Sequence, residues 1–171
     1  MQHKRFSAMT CPIARGLDRV GEWWSILILR DAFAGMTRFD EFETSLGIAP
    51  TMLTRRLKAL VEAGLLERRR YNERPPRDAY HLTARGRDFR PVLIAMLDWG
   101  NRHFMPDGPS IQIVDAASGE PAEPMLVDRR SGRALEAPEF RLAPGPGATD
   151  ATRRRLATGK STLLAPVGAV S

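Results

Sequence analysis

Four polar side chains between positions 51 and 58 have the types and the spacing needed to bind nucleic acid. They recur at i, i+3, i+4 and i+7, so a helix would carry them on one face: Thr51, Thr54, Arg55 and Lys58. A guanidinium can donate hydrogen bonds to O6 and N7 of guanine together, whereas hydroxyl and ammonium groups commonly bind phosphate. Arg55 is therefore our leading candidate for a base contact. The alternative interpretation is an ordinary solvated helix face.

Two further arginines, Arg74 and Arg77, surround a Pro-Pro pair in the segment 72–77. Proline cannot donate to a strand ladder, so we predict a turn here between strands over 65–71 and 78–82. Such a hairpin could carry both cations to a minor groove or along a phosphate backbone. Arg56 lies nearer the apolar edge of its helix, and we expect it to reach either a phosphate or an intramolecular acid.

Cys11 precedes Pro12, a residue favoured at the first position of a helix, so it is predicted to be an N-cap. The positive end of the helix dipole and Arg15 would favour its thiolate, the form that reacts with oxidants. A purely structural cap is the alternative. Cys11 is the single cysteine, and the three histidines do not give zinc-site spacing with it. We expect neither a metal nor another cofactor.

The charge distribution favours a polyanionic partner. The chain carries a net charge of +6, and residues 55–90 alone hold 11 basic and 5 acidic residues. Phosphate-binding glycine loops, nucleophile elbows and His-Glu metal motifs do not occur, which argues against an enzyme. The longest apolar run, 92–97, is far shorter than the ~18 residues of a membrane span. We expect a soluble, cytoplasmic protein without a membrane partner.

Periodicity predicts the elements that would position these side chains. Apolar residues indicate four helices, over 12–20, from after Gly21 to Gly35, over 38–46 and over 50–63. The hairpin follows, and then one long helix from Thr83 to Phe104. The apolar face of 50–63 lies opposite its polar face. This order predicts a mainly α fold with a small β part, a winged helix-turn-helix, with 50–63 as recognition helix and 72–77 as the wing tip.

Several motifs strengthen this interpretation. They are residues 11–15 (CPIAR), 24–31 (WSILILRD), 38–42 (RFDEF), 53–60 (LTRRLKAL), 63–65 (AGL), 75–77 (PPR) and 80–86 (YHLTARG). In order and spacing the chain strongly resembles the HxlR family of bacterial winged-helix transcriptional regulators, relatives of MarR-like proteins. The resemblance implies double-stranded DNA as partner, and repression more often than activation. It also implies that Cys11 can be an oxidant sensor. Two departures are Ala49, where many relatives have a capping Ser, and Trp23.

Five residues near the ends of the helical region have two possible roles. They would line either a small-molecule effector pocket or the core and dimer interface: Trp23, Trp24, Met96, Trp99 and His103. We favour the second role, because the last helix has an unusually broad apolar surface that a second chain would bury. A C2 homodimer would match a palindromic operator with half-sites ~10 bp apart.

Composition divides the chain into three parts. Residues 1–104 form the winged-helix and dimerisation domain, and 105–148 are rich in Pro and Gly. Within the second part, 114–119 (VDAASG) is echoed by 127–132 (VDRRSG), which predicts a small antiparallel β appendage over 111–142. Residues 149–171 are predicted to be disordered. The alternative to a DNA-binding regulator is a winged-helix module that binds a protein partner and no DNA.

Overall fold

The computed structural model describes residues 11–159 and 161–165. They fall into two compact units, which divide between Ile113 and Val114. The composition-based boundary at 104/105 lies nine residues earlier, where Pro and Gly become frequent. In the described part of the chain, the helices are too short or too polar to cross a membrane.

From residue 11 onward, where the structure describes it, the first unit contains six helices and one hairpin, which confirms the winged helix-turn-helix. Its elements are α1 (Pro12–Val20), α2 (Trp23–Phe33), α3 (Phe39–Leu46), α4 (Pro50–Glu62), β1 (Leu66–Glu73), β2 (Pro76–Leu82), α5 (Ala84–Arg87) and α6 (Arg90–Phe104). Helices α3 and α4 are joined by a short turn beginning at Gly47, whose φ of 58° is in the left-handed region that glycine adopts without strain.

The core of this unit holds α4 against α2, α3 and the base of the hairpin. Its fully buried side chains are Ile28, Leu29, Phe42, Leu53, Leu57, Leu60 and Leu66. Truncating one such leucine to alanine typically costs ~2–5 kcal/mol, because the transfer free energy is lost and a cavity remains. The inner face of α4 therefore fixes which of its residues point outward.

The hairpin is longer than the sequence indicated. Strands β1 and β2 pair antiparallel from Leu66↔Leu82 to Glu73↔Pro76, with an irregularity between Arg70 and Asn72. Most of the predicted turn 72–77 is thus strand, and the chain reverses at Arg74 and Pro75. Pro76 is accommodated because a proline at the first position of a strand removes no required donor.

The prediction of one continuous helix over 83–104 was wrong, because the helix is interrupted near its start. Helix α5 ends at Arg87 and α6 begins at Arg90. Pro91 has no N–H to donate to the carbonyl of Arg87, so the chain cannot continue as one regular helix there. The predicted start of the helix at Thr83 is confirmed, since Thr83 is the N-cap of α5 and its hydroxyl accepts a hydrogen bond from the Gly86 N–H at 3.0 Å.

The second unit contains a repeated turn. Isolated bridges join Val114 to Pro121 and Val127 to Ala134, so the echoed sequences adopt the same local structure. In each turn the aspartate accepts hydrogen bonds from a serine, and these bonds hold the pKa of Asp115 and of Asp128 below the usual value. The predicted β appendage is present only as these bridges among the described residues.

One helix, α7 (Asp150–Ala157), lies within the segment 149–171 for which composition predicted disorder. The structure differs from that prediction because Thr149 caps the helix, accepting from the Thr152 N–H at 3.2 Å. Residue 160 and residues 166–171 of the same segment lie outside the described residues.

Candidate nucleic-acid interface

The outward face of α4 carries the four polar residues that the sequence grouped together. Thr51, Thr54, Arg55 and Lys58 are all exposed, whereas Leu53, Leu57 and Leu60 on the opposite side are fully buried. The helix is thus attached by one side and leaves the other side accessible to a ligand.

The exposed side chains of α4 are held only by weak contacts within the helix. The Thr54 hydroxyl donates to the Pro50 carbonyl at 2.8 Å, and the Arg55 guanidinium lies 3.6 Å from the Met52 sulfur. Lys58 Nζ lies 3.8 Å from a Glu62 carboxylate oxygen, with both side chains well exposed. Such exposed i,i+4 pairs contribute only ~0.3–0.5 kcal/mol, so a phosphate could displace them at small cost.

Arg56 points inward. Only 9% of it is exposed, and its Nη2 lies 2.7 Å from Oε2 of Glu22 at the start of α2. The sequence left two partners open for Arg56, a phosphate or an intramolecular acid, and in the structure Arg56 pairs with an intramolecular acid. Arg56 therefore does not belong with the candidate DNA contacts, because it forms an ion pair that joins α4 to the start of α2.

The ion pair between Arg56 and Glu22 leads to a stability prediction. In Glu22→Ala, the buried guanidinium loses this carboxylate, and removal of one partner of a buried pair costs ~3–5 kcal/mol. We expect a smaller loss of ~2–3 kcal/mol in the free energy of unfolding, because Glu22 retains 28% side-chain exposure. Urea unfolding followed by circular dichroism measures it.

The matched variant is Arg56→Met, which leaves a carboxylate that water can solvate. It should lose less stability than Glu22→Ala and should retain duplex-DNA discrimination. If Arg56→Met instead bound all DNA sequences more weakly while unfolding normally, Arg56 would be a phosphate contact after all.

The start of α4 lacks a side-chain cap. Ala49 occupies the N-cap position and is exposed, and Pro50 follows at the first helical position. We expect Ala49→Ser to raise the free energy of unfolding by ~1 kcal/mol, because a hydroxyl can accept from an unpaired N–H of the first turn. Urea unfolding of this variant beside the wild type and Ala49→Val tests the cap, since alanine and valine have no side-chain oxygen to accept with. A serine variant no more stable than the wild type would show that the cap does not form.

The wing presents two arginines without internal partners. Within the described residues, neither Arg74 nor Arg77 forms an ion pair, and both are exposed. The neighbouring arginine run is engaged differently, since Arg70 Nε donates to Asp78 at 3.0 Å and Arg69 pairs with Glu67. The cations at the tip are therefore the ones available to an external anion.

The loop between α2 and α3 joins the wing to the helix-turn-helix. The Tyr80 N–H donates to the Thr37 carbonyl at 2.7 Å, and Arg38 and Ala79 form an isolated antiparallel β-bridge. The Arg38 guanidinium also lies 5.0 Å from the centre of the Tyr71 ring. We call residues 37–38, with their contacts to strands β1 and β2, the wing joint.

Glu41 holds the same loop from the other side. Its carboxylate accepts from the backbone N–H groups of Arg38 and Thr37, at 2.9 and 2.8 Å, and these bonds lower its pKa. Sequence reasoning missed this joint. The available signal was an acidic residue three positions after the start of a predicted helix, the second half of a capping box.

Two arginines of α5 donate hydrogen bonds to backbone carbonyls. Arg85 Nη1 donates to the Ala63 carbonyl at 3.0 Å, and Arg87 Nη1 donates to the Leu82 carbonyl at 2.6 Å. The first of these bonds lies at the carboxyl end of α4, where a cation is favoured by the helix dipole. Arg85 thus helps to hold the end of the candidate recognition helix.

The aromatic residues proposed for a pocket or an interface separate into two groups. Trp24 packs against the core, whereas Trp23 is 77% exposed and Trp99 is 52% exposed. Met96 and His103 are also exposed on α6, and the Trp99 ring meets Phe104 edge-on at 4.8 Å. The sequence prediction grouped Trp23 with Trp24, but adjacent helix positions point ~100° apart, and Trp24 is the one that packs against the core.

Cys11 occupies the N-cap of α1, as predicted. It is partly buried, its backbone carbonyl accepts from Arg15 N–H at 3.1 Å, and its side chain makes no capping hydrogen bond. Across the described residues, His, Cys, Asp and Glu side chains do not cluster in a way that could hold a metal ion.

Comparison with known proteins decides the family. The model of the HxlR-like helix-turn-helix family matches residues 19–108, which include α2, the helix-turn-helix, the wing and α6. The chain belongs to the HxlR-like helix-turn-helix family. It is 39% identical to the HTH-type transcriptional regulator Mb3122 of Mycobacterium bovis over 136 residues, covering 79% of this chain and 86% of that protein.

Solved structures agree with the HxlR-like assignment. PA1374 from Pseudomonas aeruginosa, assigned as a candidate transcription factor, is 55% identical with a TM-score of 0.62, covering 85% of this chain and 100% of that one. The redox regulator HypR in its reduced form is 32% identical with a TM-score of 0.52, covering 57% and 99%. This HxlR-like protein is therefore a DNA-binding transcriptional regulator.

Proposed function

We propose that this regulator reads its operator with the outward face of α4 in the major groove. The observation that carries the proposal is the division of α4 into a fully buried leucine side and an exposed side of Thr51, Thr54, Arg55 and Lys58. A major groove admits one helix, and residues spaced i, i+3, i+4 and i+7 face the base edges together. Arg55 supplies the base contact, and the hydroxyls and Lys58 bind phosphate.

The wing supplies backbone or minor-groove contacts. Arg74 and Arg77 are exposed at the tip, and the wing joint holds the hairpin beside the helix-turn-helix through the backbone bridge of Arg38 and Ala79 and the contact of Arg38 with the Tyr71 ring. Cations on the backbone add affinity without sequence preference, because every duplex presents the same phosphates.

A homodimer is the proposed functional unit. Helices α1 and α6 expose apolar side chains that a monomer would leave in water: Ile13, Leu17, Val92, Met96, Trp99 and Phe104. Burying apolar surface yields ~25 cal/mol per Å², and a C2 pair would cover both copies of this face at once. Two-fold symmetry fits a palindromic operator.

The experiment is fluorescence anisotropy with duplex DNA over a range of salt concentrations, after an operator has been selected from a random duplex pool. Several phosphate contacts in each protomer predict a log–log slope of about −5 or steeper for the dimer. The second candidate function, a protein-interaction module, predicts no duplex binding even at low salt. Salt-independent association would contradict our proposal.

Control by oxidation is a finer proposal for the same regulator. Cys11 sits at the amino end of α1, where the helix dipole favours thiolate, and HypR, a redox regulator, has a similar fold. Mild oxidant should change operator occupancy by the wild type and leave Cys11→Ser unaffected. Unchanged wild-type occupancy would exclude the thiol as a switch.

A further inference from the structure

A polar cavity lies beside the wing joint and away from the outward face of α4. Its volume is about 530 Å³, within the ~300–1,000 Å³ range of small-molecule sites. Three parts of the first unit form its walls: the end of α2 with the following loop, the two wing strands, and the start of α5. Thr37, a member of the wing joint, belongs to the lining.

The lining has an excess of positive charge and of hydrogen-bond donors. Its ionised side chains are Arg69, Arg87 and Glu67, and Glu67 already pairs with Arg69. The hydrogen bond of Arg87 goes to the uncharged Leu82 carbonyl and leaves further N–H groups of the guanidinium to donate to a ligand. His81, Tyr80 and Thr37 add further polar groups, and partial burial raises the pKa of Tyr80, so its phenol remains a donor.

We propose that this cavity binds a small carboxylate or phosphate anion and that its occupation lowers DNA affinity. The proposal rests on the proposed function above, since the readout is operator binding. An apolar effector fits the cavity poorly because charged and polar residues line most of it. An anion meets Arg87 and the hydroxyl of Thr37, which belong to different walls.

The position of the cavity explains the coupling. Its lining residues Thr37 and Tyr80 are joined by the 2.7 Å hydrogen bond that attaches strand β2 to the loop before α3. A ligand touching both walls favours one arrangement of the wing relative to the helix-turn-helix over others. It also adds negative charge beside a basic surface that must approach phosphates, so affinity falls. Coupling of this kind typically changes affinity ~5- to 150-fold.

Binding is tested first on the full chain without DNA. Amide ¹H–¹⁵N spectra are recorded while sodium succinate, and separately inorganic phosphate, is added at an ionic strength kept constant with NaCl. Saturable shifts at Thr37, Tyr80, His81 and Arg87 support the site. Shifts no larger than those with NaCl alone, for both anions, overturn it.

Coupling is then tested by operator anisotropy at the same constant ionic strength. We expect the active anion to weaken wild-type binding about fivefold or more, and to have no effect on Arg87→Met, whose DNA affinity without anion stays at the wild-type level. Wild-type affinity that is independent of the anion overturns the regulatory proposal, while DNA binding itself stands.

A phosphate group of the DNA is the other anion that could bind in this cavity. If operator DNA alone shifts the cavity amides, and Arg87→Met binds DNA more weakly without any anion, the cavity is part of the DNA interface and the effector proposal is wrong. Absence of duplex binding by the wild type, with anion shifts still present, would instead overturn the proposed function and leave the anion site intact.

Discussion

Arg55→Ala should lose discrimination among operator sequences while retaining most of its non-specific affinity. A bidentate arginine–guanine contact contributes ~1–3 kcal/mol of discrimination, or about 5- to 150-fold in each half-site. The effect is large because Arg55 is exposed and has only a weak contact to the Met52 sulfur within the protein. Competitive anisotropy with the selected operator and with single-base variants measures the preference.

Two controls separate base reading from general charge. Arg55→Lys keeps the positive charge and loses the planar fork, so it should lose discrimination with little change in salt dependence. Arg74→Ala should weaken binding to all sequences alike and reduce the salt slope by about 1 for each protomer. If Arg74→Ala lost sequence preference and Arg55→Ala did not, the roles of recognition helix and wing would be exchanged.

Met96→Glu should convert the regulator to a monomer and weaken operator binding by at least ~100-fold. The substitution places a carboxylate on the exposed apolar face of α6, where a symmetric partner would bring a second one close to it. A monomer engages only one half-site and loses the avidity of a linked pair, which is ~10²–10⁴-fold. Analytical ultracentrifugation and operator anisotropy measure the two effects.

The fold of the protomer should survive this change, because Met96 is 43% exposed in the protomer and α6 contributes no fully buried side chain to the core. Gln112→Glu, which adds the same charge at an exposed position outside the helices, should remain dimeric. A Met96→Glu protein that stayed dimeric and bound its operator normally would place the dimer interface elsewhere.

The elements of the helix-turn-helix could be predicted from the sequence because their signals are local. Pro50 and the leucine spacing defined α4, Gly47 marked the end of α3, and Thr83 marked the cap of α5. The interruption at Asp88 and Phe89 was missed because apolar periodicity continues through it. Pro91 was the local signal that should have outweighed that periodicity.

The side-chain partners were not predictable in the same way. Arg55 and Arg56 are adjacent and identical in type, yet one is exposed and the other is buried against Glu22. A shift of one residue turns a helix position by ~100°, so small differences in packing angle decide which arginine faces the core. The sequence limited Arg56 to two alternatives, and only the tertiary structure chose between them.

The sequence by itself determined the amphipathic character of α4 and the basic character of residues 55–90, because composition and periodicity are properties of the chain, and its motifs carried the resemblance to the HxlR family. Tertiary structure alone decided that Arg56 fastens α4, that Thr37 and Arg38 join the wing to the helix-turn-helix, and that a polar cavity opens beside that joint. These features depend on residues far apart in the chain, whose approach is set by the burial of a shared leucine core.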